Sequence, residues 1–220
     1  MIGEILPVAV AVAVSPVPII AVILMLFTPK ARTNSVAFLL GWLLGLIVVG
    51  GIVLIAGDVA SDDSGESTVS GVVKLVLGLL FLLLAIRNWR SRPKAGEEPE
   101  MPAWMAAIDE FGAGKSAGIG ALLSGLNPKN LALTAAGAAT IAAAGLTSGE
   151  EIGALAVFVA IASVTVAAPV LVYLIMGERA QGGLNSLKEW LVANNNTVMA
   201  VLLVVFGAKL LGDAISILSE

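Results

Sequence analysis

Six apolar stretches, each long enough to cross a bilayer and parted by short polar turns, constrain this chain more than anything else in it. A transmembrane helix needs ~20 apolar residues. Ile5–Leu26, Ser35–Ala56, Val69–Ile86, Ala117–Ala143, Ile152–Met176 and Val198–Ile217 each qualify, the fourth being overlong, as an interrupted or tilted span would be. Charged residues are only 13% of the 220 and apolar ones 58%. A soluble domain needs more polar surface than that to cover its core. The ~10-residue alternation of a transmembrane barrel is absent. The expected fold is an all-α integral membrane protein with six transmembrane helices.

Two of the six segments are broken near their middles. Ser15-Pro16-Val17-Pro18 interrupts the first, and Asn127-Pro128-Lys129-Asn130 the fourth. Proline removes a backbone donor and frees the carbonyl four residues earlier. In hydrocarbon such groups persist only where protein or a wet cavity satisfies them. Both breaks should therefore face inward and approach each other. Paired interruptions at corresponding places in two halves are the sequence pointer to a transporter site.

The halves also match elsewhere. Val76–Arg87 aligns without gaps on Val198–Lys209, and Leu54-Ile55-Ala56-Gly57 on Leu174-Ile175-Met176-Gly177. Three spans is an odd number, so the second copy must insert upside down, giving two inverted-topology repeats. Residues 1–90 form the first repeat, 91–112 a linker and 113–220 the second. In the linker, Ser91–Met101 is charged and Pro-rich. Pro102–Phe111 reads as a short interfacial helix with Trp104, Ile108 and Phe111 against headgroups, or as a loop with one anchoring Trp.

Basic residues choose the orientation. Lys30 and Arg32 lie in the first loop, Arg87, Arg90, Arg92, Lys94 and Lys115 around the third, and Arg179 and Lys188 in the fifth. The second loop holds Asp58, Asp62, Asp63 and Glu66, and the fourth Glu150 and Glu151. The positive-inside bias places loops one, three and five in the cytoplasm and both termini outside. Met1–Glu4 lacks a basic n-region, so the first segment reads as a retained helix.

With no cysteine and no histidine, thiolate nucleophiles, imidazole metal sites and histidine proton relays are excluded. Gly112-Ala113-Gly114-Lys115-Ser116 only imitates a phosphate loop, since Asp109 holds the leading glycine position and no strand precedes it. No nucleophile–base pair is visible, so no enzyme and no cofactor are expected. What remains is Lys129. A mid-membrane lysine costs several kcal/mol, and such residues usually have a function. No carboxylate occupies the middle of a span, so the cavity should suit an anion. Ser15, Pro16, Pro18, Asn127, Pro128, Lys129 and Asn130 are the candidate substrate-binding residues. The structural alternative is a kink at Pro128 with Lys129 snorkelling to headgroups. Arg32 and Asn34 are candidates for a gate or a helix cap. Lys209 and Asp213, spaced i, i+4, are candidates for a path or a structural ion pair. Ser15, Thr134, Thr140, Ser163 and Thr165 could line a path or simply tighten helix–helix contacts, and Gly41, Gly45, Gly50 and Gly51 read as close-packing positions, with a hinge as the alternative.

Pro102-Ala103-Trp104-Met105 with Ile108-Asp109, and Leu126-Asn127-Pro128-Lys129-Asn130 opening a small-residue helix, resemble the GAP/Sap-like (glycopeptidolipid- and sulfolipid-addressing) family of actinobacteria. Ser15-Pro16-Val17-Pro18 and Phe38-Leu39-Leu40-Gly41-Trp42 look like that family's first half. The family is placed in the LysE transporter superfamily. The resemblance implies a six-span plasma-membrane protein of a bacterium linked to moving cell-envelope glycolipids or other amphiphiles towards the outer surface. Taken with Lys129, the expected function is a transporter or flippase for an anionic amphiphile, a cell-envelope glycolipid or a polyprenyl or phospholipid-type lipid. The resemblance leaves open a LysE-type exporter of a small, amino-acid-like solute and a non-transporting scaffold of a glycolipid export complex. The partners implied are a membrane lipid or glycolipid, with envelope-lipid export machinery and a second copy of the chain as candidates. Nothing calls for nucleic acid or a metal.

Overall fold

A computed structural model describes residues 2–60, 68–92 and 103–219 of the chain. Within them the chain is helical, with no strand: α1 (Ile2–Ala13), α2 (Pro16–Leu26), α3 (Ala31–Ala60), α4 (Thr68–Arg90), α5 (Ala113–Gly125), α6 (Pro128–Ala142), α7 (Ser148–Met176) and α8 (Gln181–Leu218), with 3₁₀ segments at Ala103–Glu110 and Gly177–Ala180. Asp62, Asp63 and Glu66 of the acidic loop, and Pro93, Lys94, Pro99 and Pro102 of the linker, lie outside the described residues.

Among the described residues, 31–56 and 148–218 are long and apolar enough to cross a membrane. The pair α1–α2, bent by 52°, adds a third if counted as one span. At 13 and 15 residues, α5 and α6 are each shorter than one crossing. Large apolar side chains point outward: Leu40, Leu44, Ile52 and Ile55 on α3, and Val164, Leu171 and Ile175 on α7. Stripes of that kind suit lipid and not water. The chain is a membrane protein.

It forms two compact units, one of residues 1–60 and 101–190, the other of 61–100 and 191–220. In the first unit, the two halves of the broken first segment differ in surroundings. α1 buries Ile5, Val8, Ala9 and Val12 and exposes Ile2, Leu6 and Val10, a spacing of four that gives one outward face. α2 is apolar all round and is buried from Pro18 to Ile23 and again at Met25 and Leu26, as a core helix should be. α3 and α5 touch backbone to backbone. A Cβ on Gly41 would collide with the Ala117 carbonyl, and one on Gly120 with the Phe38 carbonyl. Gly45 and Gly50 are likewise tight, against Ser124 and Leu155, whereas Gly51 has nothing within 4 Å and is not a packing position. α6 buries Asn130, Leu133, Thr134, Gly137 and Ile141 along one face. Phe38, Trp42 and Phe158 are the largest side chains of this core, and Trp42 Nε1 donates to Ser163 Oγ at 3.2 Å.

The segment before α5 corrects one expectation. It is a 3₁₀ turn whose Met105, Ile108 and Phe111 are buried in protein, packed beside α2, with Trp104 half-buried. Ile108 and Phe111 therefore do not rest on headgroups.

In the second unit α4 packs on the part of α8 after Trp190. Gly78 and Gly207 let them meet: a Cβ on either would stand 3.1 Å from the other's carbonyl oxygen. In the gapless alignment, Gly78 pairs with Ala200, Phe81 with Leu203, and Ala85 with Gly207. All six residues are buried, while Leu79/Val201, Leu83/Val205 and Arg87/Lys209 are all exposed.

Candidate functional site

The first break follows from its two prolines. Pro16 and Pro18 have no N–H, so the Val12 and Val14 carbonyls lose their helical donors. Ser15 N turns to Ala13 O, 2.8 Å away, which leaves Ala11 O without its own donor. The end of α1 thus presents the Ala11, Val12 and Val14 carbonyls without backbone donors, and side chains satisfy them. Ser15 Oγ lies 2.8 Å from Val12 O, and Thr165 Oγ1 on α7 donates to Ala13 O at 2.5 Å. Lys129 Nζ donates to Ala11 O at 2.8 Å, Val14 O at 3.0 Å and Ser15 Oγ at 2.7 Å.

The second break supplies that lysine and caps itself. Asn127 is the N-cap of α6, its Oδ1 accepting from Lys129 N at 3.1 Å, and Pro128 takes the first helical position. Asn130 Nδ2 donates to Leu123 O at 2.9 Å, a carbonyl freed at the end of α5. Asn130 Oδ1 meets Ser15 Oγ at 3.0 Å, a hydroxyl with a single proton to share between Asn130 and Val12. The breaks are therefore joined directly, as their sequence positions imply.

The electrostatics are one-sided. Lys129 is 5% exposed, and all three of its N–H groups go to neutral oxygens of α1 and Ser15. Among the described residues no carboxylate forms an ion pair with it. The ammonium sits at the C-terminal, negative end of α1, where a cation is favoured. The expected opening of this ammonium onto an internal cavity is replaced here by an enclosed ammonium capping a helix end. Nor does it snorkel to a surface.

Ser15, Pro16 and Pro18 come together with Asn127, Pro128, Lys129 and Asn130; the gate candidates do not join them. Asn34 is fully buried and donates Nδ2 to Phe111 O at 2.8 Å, tying the 3₁₀ turn to α3. Arg32, two residues earlier, is exposed and lines a separate open cleft. Lys209 and Asp213 belong to the second unit and form the expected i, i+4 ion pair at 2.8 Å, 51% and 37% exposed. Reading the sequence missed Thr165 as the cap of Ala13, for which a threonine in an apolar helix was the only signal. It also missed Tyr173, Glu178 and Gln181 around the cleft.

The family model described as Sap, sulfolipid-1-addressing protein, matches residues 5–216. The chain belongs to that family. No curated protein and no solved structure matches it. Both breaks of the Sap-family chain lie inside the matched region.

Proposed function

We propose that the chain is a transporter or flippase that moves an anionic amphiphile, a glycolipid or phospholipid-type molecule, across the cytoplasmic membrane, with Lys129 as the charge contact for its headgroup. The observation that carries this reading is an enclosed ammonium held only by neutral oxygens at the meeting of two broken helices. An anion is a stronger partner for that ammonium than any carbonyl. When a headgroup takes Lys129, Ala11 O and Val14 O lose their donors and the end of α1 must rearrange. Binding and conformation are then coupled through one side chain, which is what a ligand with different affinity for two states requires. The family's name, which refers to addressing a sulfolipid, agrees with an anionic amphiphile.

The wider frame we propose is six spans in two inverted repeats of the LysE type, both termini outside and the basic loops one, three and five in the cytoplasm. The matched burial of α4 and the end of α8 supports the duplication, as do the aligned and fully buried Phe38 and Phe158. One observation favours a second reading, a non-transporting scaffold: Lys129 is enclosed, with its donors satisfied. Native mass spectrometry of gently extracted protein separates the two. A transporter retains an anionic lipid that Lys129→Ala loses; a scaffold shows the same lipid complement in both proteins.

A further inference from the structure

At the end of α2 opposite the break, about 15 Å along that helix, the first unit holds an open cleft of ≈ 530 Å³. This is within the usual range of small-ligand sites. The loop between α2 and α3 contributes Phe27, Lys30 and Arg32; the end of α7 contributes Tyr173; Glu178 and Gln181 follow it. The last two reach the cleft wall because α7 stops at Gly177, whose φ of +60° and ψ of −138° only glycine adopts without strain. Lys188, which does not line the cleft, lies against one of its wall residues, with Nζ 5.5 Å from the centre of the Phe27 ring.

The charges in this cleft are not used by the fold. Lys30, Arg32 and Glu178 are exposed, and among the described residues none of their side chains makes an ion pair or hydrogen bond. Two cations and one carboxylate share the wall without neutralising one another. Arg32 offers the planar fork that suits phosphate and sulfate oxygens, and Lys30 a mobile point charge. Glu178 accepts hydrogen bonds and donates none, so it repels a bare anion and rewards a ligand with a donor beside its charge. Gln181 and the Tyr173 hydroxyl both donate and accept.

We propose that this cleft recognises the headgroup of an anionic, hydroxyl-bearing amphiphile, with the phosphate or sulfate ester on Lys30 and Arg32 and the hydroxyls on Glu178, Gln181 and Tyr173. The assignment rests on the transport reading only for its role as the entrance to the path. A headgroup seated here lies at one end of α2, and the Lys129 contacts lie at the other.

The test is calorimetric titration of the full chain, in a neutral detergent, with dihexanoyl phosphatidylinositol. Dihexanoyl phosphatidic acid, dihexanoyl phosphatidylcholine and inorganic phosphate serve as comparisons. The inositol lipid should bind saturably and most tightly, and the choline lipid not at all. Lys30→Gln combined with Arg32→Gln should weaken the inositol lipid by about tenfold or more. Glu178→Gln should bring phosphatidic acid level with it. All three side chains are exposed, so the variants should keep the fold; circular dichroism checks this. Unchanged affinity in the double variant overturns the proposal. So does equal binding of both anionic lipids by the wild-type protein, which marks a diffuse basic surface, and so does equal binding of inorganic phosphate, which marks a free-anion site. Saturable, Lys30- and Arg32-dependent binding by a protein that moves no lipid would leave the cleft standing and remove the transport reading alone.

Discussion

The two helix breaks look alike in sequence and work in opposite senses. At Asn127-Pro128 the local residues repair their own damage: Asn127 caps α6, and Asn130 reaches back to the Leu123 carbonyl. At Ser15-Pro16-Val17-Pro18 only Ser15 helps; the Ala11 and Val14 carbonyls depend on Lys129 from far along the chain, and Thr165 adds a second bond to Ala13 O. One break is capped mainly by its own residues and supplies a cation; the other relies on distant residues and receives it. A proline in a membrane helix thus marks where partners are needed, while the neighbouring polar residues decide whether they are local.

Removing the incompleteness should have the largest effect. Pro16→Ala with Pro18→Ala returns donors for Val12 and Val14, lets α1 run into α2, and leaves the Lys129 ammonium short of acceptors. A buried charge deprived of its partners costs about 3–5 kcal/mol, so thermal unfolding in detergent should fall steeply. Adding Lys129→Met should restore much of the loss. If the double proline variant is as stable as wild type, the two breaks are not coupled.

Ser15→Ala and Asn127→Ala sharpen the contrast at lower cost. Ser15 serves both breaks, and its loss should destabilise by about 1–3 kcal/mol because buried partners go unsatisfied. Asn127 serves only its own helix, and a lost N-cap costs about 1 kcal/mol. Combining each with Lys129→Met should show strong coupling for Ser15. Asn127, whose side chain accepts from the Lys129 backbone, should be close to additive. The smallest effect belongs to the other lysine: Lys209→Met breaks an exposed pair and should change stability by less than about 1 kcal/mol. A larger loss would mean that exposure does not separate the two lysines.

Much of this was legible in the residues. Proline positions gave the breaks, the polar residues beside them gave the meeting point, and i, i+4 spacing gave the Lys209–Asp213 pair. What was not legible concerns partners. Apolar spacing around Ile108 and Phe111 says that one face is buried, but it reads the same whether lipid or protein covers it, and protein does. A lysine after a proline signals a need for oxygen ligands without saying whether a substrate or the last turn of α1 provides them. The cleft was invisible because Arg32 and Tyr173 are far apart in the chain and neither belongs to a periodic pattern.

The central claim is that the Lys129 ammonium exchanges between the carbonyls of α1 and the headgroup of a transported anionic amphiphile. Proteoliposomes carrying a fluorescent phosphatidylglycerol, quenched from outside by dithionite, test it directly. The wild-type protein should bring inner-leaflet lipid into reach of the quencher. Lys129→Ala should slow this by about tenfold or more, as expected for a lost charge-assisted contact, and Lys129→Arg should keep part of the rate. Both variants should still insert, since neither adds charge to the membrane. A Lys129→Ala protein that moves the lipid at the wild-type rate would contradict the account and leave Lys129 as a structural cap of α1.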